Sequence, residues 1–75
     1  MFSVFDSKVG VYAQPFFVPS RGAAVRSFSD ACVDDSLPFK KHPADYRLFY
    51  LGVYDDVAGS FEGVIPEPVI GGDEI

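Results

Sequence analysis

Residues 5–12 read FDSKVGVY and residues 54–61 read YDDVAGSF. Both fit one pattern: aromatic, Asp, three residues, Gly, one residue, aromatic. An Asp that opens a loop can bond nearby backbone N–H groups, and a Gly that closes it takes positive φ without penalty. With residues 7–10 as the loop, Asp6 pairs with Val11 and Phe5 faces Tyr12. The second copy makes the same pairing between Tyr54 and Phe61. The repeat therefore predicts two β-hairpins, each fastened by a cross-strand aromatic pair.

Outward from these turns, FSVFD (2–6) and VYAQ (11–14) read as the first two strands. QPFFVPS (14–20) is interrupted by two prolines and is expected to leave the sheet. Residues 21–33, RGAAVRSFSDACV, carry the only helical pattern, with Ser20 as N-cap. Ala24, Val25, Phe28, Ala31 and Cys32 fall on one stripe. DDSLPFKKHPAD (34–45) is a connection. YRLFYLGVY (46–54) is the strongest strand: Tyr46, Leu48, Tyr50 and Tyr54 alternate with Arg47, Phe49, Leu51 and Val53, apolar on both faces. SFEGVI (60–65) returns as its partner. The expected fold is α+β, a small antiparallel sheet of two hairpins with one helix between them (ββαββ). Residues 1–66 form the domain, and 67–75 an acidic Pro/Gly-rich, irregular C-terminal tail.

One short helix covers one face of such a sheet at most. A chain of 75 residues with a single cysteine has no internal disulfide to support it. Its eight Phe and four Tyr leave aromatic packing or self-association as reinforcement. The second face is thus expected to be covered by a ligand or by another copy, making a homodimer.

Charge is unevenly placed. The net value is −5, yet all six basic residues lie at or before Arg47, while Asp55, Asp56, Glu62, Glu67, Asp73 and Glu74 follow with no cation among them. An acidic balance argues against strong non-specific duplex binding, which depends on neutralising phosphates. It leaves room for a local basic surface. The tail is read either as a solubilising end or as a competitor of nucleic acid for the basic residues. The N-terminus lacks the form of a signal peptide, and no apolar run is long enough to span a bilayer, so a cytosolic protein without membrane contact is expected.

No catalytic constellation is visible: there is no phosphate-cradling Gly loop, no nucleophile–base pair and no metal-ligand spacing. His42 reads as a solvated loop residue and Cys32 as a small buried hydrophobe. A non-enzymatic binding protein is expected, with no cofactor, metal or small-molecule substrate. Sheets that display aromatic rings beside cations bind single strands by stacking bases on the rings. The candidate nucleic-acid-binding residues are Tyr12, Arg21, Arg26, Lys40, Lys41, Tyr46, Arg47, Phe49 and Tyr50. Phe5, Tyr12, Tyr46, Tyr50, Tyr54 and Phe61 share one face if both hairpins join one sheet in matching orientation. In the competing arrangement these rings are core beneath the helix, and Phe49, Leu51 and Val53 face outward.

VFDSKVGVYAQPFFV, the helix AAVRSFSDACVD and above all KHPADYRLFYLGVYDDVAGSFE resemble the small non-structural protein of gokushovirus-type Microviridae, bacteriophages with single-stranded DNA genomes. The resemblance runs to about residue 68. It implies a DNA-binding or replication-associated protein of the host bacterial cytoplasm, absent from the mature virion. The implied role is in the switch from duplex replication to single-stranded genome synthesis before packaging. It carries no catalytic or binding residue onto particular positions. The partners it suggests are single-stranded DNA and, in the alternative reading of a protein–protein adaptor, the phage replication initiator, a capsid precursor or a host protein.

Overall fold

The computed structural model describes residues 1–75. Strands β1 (Phe2–Asp6), β2 (Val11–Tyr12), β3 (Tyr46–Asp55) and β4 (Ser60–Gly71) form one antiparallel sheet in the order β2-β1-β3-β4. Helix α1 (Arg21–Cys32) stands between the two hairpins in sequence, so the order is ββαββ and the fold is α+β, as expected.

The repeated motif forms the same loop twice. In the first, the Asp6 carboxylate accepts the Lys8 N–H at 2.9 Å, and the Gly10 N–H donates to the Asp6 carbonyl at 2.8 Å. In the second, Asp55 accepts from Val57 and Ala58 at 3.0 and 3.1 Å, and the Gly59 N–H donates to the Asp55 carbonyl at 2.7 Å. Gly10 and Gly59 have φ of 76° and 67°, a region open to glycine. The loops set Phe5 opposite Tyr12 and Tyr54 opposite Phe61, with ring centroids 4.8 and 4.9 Å apart.

Helix α1 starts where the Ser20 hydroxyl accepts the Ala23 N–H at 3.1 Å. Its buried residues Ala24, Phe28 and Cys32 recur every fourth position and meet Phe2, Val4 and Leu48 of the sheet. Each large side chain removed from water in this way stabilises the fold by roughly 1.5–3 kcal/mol. Phe16, Phe39, Tyr46, Tyr50 and Ile70 close the margins of this core.

Two segments depart from expectation. The proline-bearing stretch after β2 stays beside β1 as far as Phe16, which exchanges two backbone hydrogen bonds with Phe2 at 2.8 and 3.0 Å. Nearby, the buried Ser3 hydroxyl donates to the Ala13 carbonyl at 2.6 Å. The C-terminal residues are not an irregular tail. The expected boundary at 66/67 falls inside β4, and residues 72–74 form a 3₁₀ turn. Gly71 and Gly72 are buried, Glu74 accepts the Gly71 N–H at 3.2 Å, and its carboxylate lies 3.0 Å from Arg47 Nη1. Pro66 and Pro68 are tolerated because β4 is an edge strand, where a missing donor can face solvent. Register shifts opposite Leu48/Phe49 and Tyr50/Gly52 absorb the extra residues of β4.

Candidate nucleic-acid interface

Alternation along the strands divides the aromatic residues between two faces. Because Phe5 stands opposite Arg47, and Val4 opposite Leu48, Phe5 belongs to the face of Arg47 and Phe49. There Phe5, Tyr12 and Phe49 form a triangle, with centroid separations of 4.8, 5.5 and 6.0 Å. Two of the three contacts are edge-on, so these rings are not stacked face to face on one another. Phe5 and Phe49 are half-buried, and Tyr12 is 42% exposed. The helix lies on the opposite face, over Phe2, Val4 and Leu48.

The expectation that Phe5, Tyr12, Tyr46, Tyr50, Tyr54 and Phe61 share one face is therefore corrected. Tyr46 and Tyr50 are on the helix side: Tyr46 packs on Phe39 at 4.5 Å, and Tyr50 on Phe2 at 5.3 Å. Burial, then the carboxylates of Asp6 and Asp45, push the Tyr46 hydroxyl pKa above its ordinary value. Tyr54 and Phe61 lie beyond the helix on the same side, joined by Phe17 at 5.3 and 6.4 Å. The register of β1 against β3 decides this division, and no local motif encodes it.

The cations divide similarly. Arg47 lies on the open face at its border, paired with Glu74. The Arg21 guanidinium sits over the Tyr50 ring, 5.4 Å from its centroid and 3.9 Å from Glu67, on the helix side. Lys40 pairs with Asp35 at 2.6 Å. Arg26 on the exposed side of α1, Lys41 after the 3₁₀ turn Pro38–Lys40, and Lys8 in the first hairpin loop form no ion pair. Of the nine candidate residues, the fold brings together Tyr12, Arg47 and Phe49. It adds Phe5, whose pairing with Tyr12 was already legible in the first hairpin motif.

No three metal-ligating side chains cluster anywhere in the chain, and no helix is long and apolar enough to cross a membrane. A concavity of about 510 Å³ lies between residues 17–19 and the β3–β4 hairpin, on the side of Tyr50 and Tyr54.

The chain belongs to the phage ORF5 protein family, whose sequence profile matches residues 1–75. Searches of curated proteins and of solved structures return no match.

Proposed function

We propose that this phage protein binds single-stranded DNA through the open sheet face, with Phe5, Tyr12 and Phe49 as stacking platforms and Arg47 as the adjoining cation. The observation that carries the reading is the ring triangle on the face away from the helix, two of its members on the central strands β1 and β3. Each base stacked on such a ring is worth about 1–3 kcal/mol and needs no particular sequence. Phosphate would exchange with Glu74 for Arg47, an ion pair whose partners are both half-exposed and hence weakly held. The net charge of −5 keeps the affinity modest and strongly dependent on salt. The resemblance to the gokushovirus-type non-structural protein supports placing this activity in genome replication or packaging, in the host cytoplasm and outside the virion. No enzymatic step is assigned to the protein.

A second reading is favoured by the apolar strip of Phe5, Tyr12 and Phe49, which α1 leaves uncovered and whose neighbouring cation, Arg47, is already paired with Glu74. Two copies would bury this strip against each other. The protein would then act as a dimeric adaptor to a phage or host protein.

Fluorescence anisotropy of a labelled oligothymidylate at low salt, with light scattering on the same samples, separates the two. Saturable binding that falls with salt and weakens in Phe49→Ala supports the first. A dimer insensitive to salt, with no oligonucleotide binding, replaces it with the second.

A further inference from the structure

The molecule carries two aromatic clusters in opposite electrostatic surroundings. The second, Phe17–Tyr54–Phe61, is more exposed than the first, with Phe17 at 53% and Phe61 at 63%. It stands near the tip of a two-stranded ribbon, the distal half of the β3–β4 hairpin, in a molecule of principal extents 40 × 22 × 19 Å. An isolated ribbon with so much apolar surface in water is marginal unless something packs on it. Val57 and Ile65, on the same hairpin, are 94% and 88% exposed.

Charge selects the occupant. The ribbon bears Asp55, Asp56 and Glu62, and no cation follows Arg47. Asp56 lines the groove together with Phe17, Tyr50 and Tyr54. Two positive groups stand near. The Met1 ammonium is occupied by the Gly52 carbonyl at 2.7 Å, and Arg21 lies toward the helix, engaged with Tyr50 and Glu67. A phosphate backbone is repelled by the three carboxylates. A symmetric ribbon-to-ribbon contact between copies sets these same carboxylates against each other. Cationic side chains are favoured twice, by the carboxylates and by the electron-rich faces of Tyr54, Phe17 and Phe61.

We infer that the groove between Phe17 and the β3–β4 ribbon is a docking site for an extended, basic segment of a partner protein, one in which Lys or Arg alternates with aliphatic residues. The aliphatic side chains cover Phe17, Phe61 and Tyr54, and the cations meet Asp56, which the groove shares with an adjoining concavity that also holds Asp55 and Glu62. This site is separate from the open sheet face, so each stands or falls by its own experiment.

The test uses the full chain, ¹⁵N-labelled, titrated with a capped peptide of alternating lysine and valine, and with its glutamate–valine counterpart as control. Saturable amide shifts confined to residues around Phe17, Tyr54 and Phe61, caused by the lysine peptide alone, support the site. An affinity loss of about tenfold in Asp56→Lys/Glu62→Lys, and a smaller loss in Asp56→Asn, follows from the charge and ring contributions. Both carboxylates are exposed, and an unchanged amide spectrum establishes that the variants fold. Equal binding of the glutamate peptide, shifts on the Phe5–Tyr12–Phe49 face, or no saturable binding overturns the inference. So does a rise in mass that shows a second copy in the groove.

Discussion

Phe5 lies directly across the β1–β3 ladder from Arg47, and this pairing sets the ring of Phe5 against Phe49 on the face that the helix leaves uncovered. Tyr46, one residue earlier on β3, is opposite Asp6 and belongs to the other face. Tyr46 and Phe49, three residues apart on one strand, thereby acquire different roles.

Phe49→Ala and Tyr46→Ala should separate binding from stability. Removing Phe49 should lower oligothymidylate affinity by about 1–3 kcal/mol, a factor between about 5 and about 160, with a modest loss of stability from the broken ring contacts. Removing Tyr46 should lower the urea midpoint and leave affinity unchanged while the protein is folded, because its ring is spent on Phe39 and the core margin. An affinity loss in Tyr46→Ala equal to that in Phe49→Ala would place the binding surface on the wrong face.

Phe28→Ala should abolish the fold near room temperature. Phe28 is 2% exposed and is the largest side chain that α1 contributes to the core. Its truncation costs about 3–5 kcal/mol, a large share of what a domain of this size commands. Far-ultraviolet circular dichroism against temperature reads the outcome directly.

Gly52 and Gly63 face each other across the β3–β4 ladder but should respond very differently to alanine. Gly52 has φ of 132°, and a Cβ there would fall 2.2 Å from the Glu62 carbonyl oxygen. At Gly63 the nearest atom would be 3.9 Å away. Gly52→Ala should therefore destabilise by more than about 1–3 kcal/mol, the usual range for an enforced backbone strain, and shift amide resonances along the ribbon. Gly63→Ala should be close to neutral. A neutral Gly52→Ala in thermal denaturation would contradict the register shift at this position.

The thiol of Cys32 is buried on α1, and burial pushes its pKa above the ordinary thiol value. A folded pKa above the unfolded one makes this contribution to stability complete below the unfolded thiol pKa. It is lost as pH rises through the folded one. Reaction with a disulfide reagent at mildly alkaline pH should be slow and should accelerate with urea, following opening of the fold. Fast reaction in native buffer would show that α1 is not seated on Phe2 and Leu48.

Local chemistry made most of the fold legible. The Asp…Gly spacing specified both hairpins down to the pairs Phe5–Tyr12 and Tyr54–Phe61, and the stripe Ala24–Phe28–Cys32 specified which side of α1 is buried. The contacts that stayed hidden are non-local. Whether Phe5 shares a face with Phe49 or with Tyr50 depends on how β1 slides against β3, and a shift of one residue reverses the answer. The tail was hidden for another reason. Pro66, Pro68 and the Gly71–Gly72 pair all carry the composition of a loop, yet an edge strand with register shifts accommodates each of them. Phe17 was obscured likewise, because its proline-flanked segment shows no periodicity although its ring meets Tyr54.

The prolines of β4 have a consequence for how the molecule behaves when it is abundant. A proline offers no amide hydrogen to a newcomer, so the outer border of β4 near Pro66 and Pro68 is a poor template on which to grow another chain's strand. Strand-by-strand growth into fibres is disfavoured along that border, even at high protein concentration. Replacing both prolines with valine should raise thioflavin-positive aggregation above that of the unaltered protein at the same concentration.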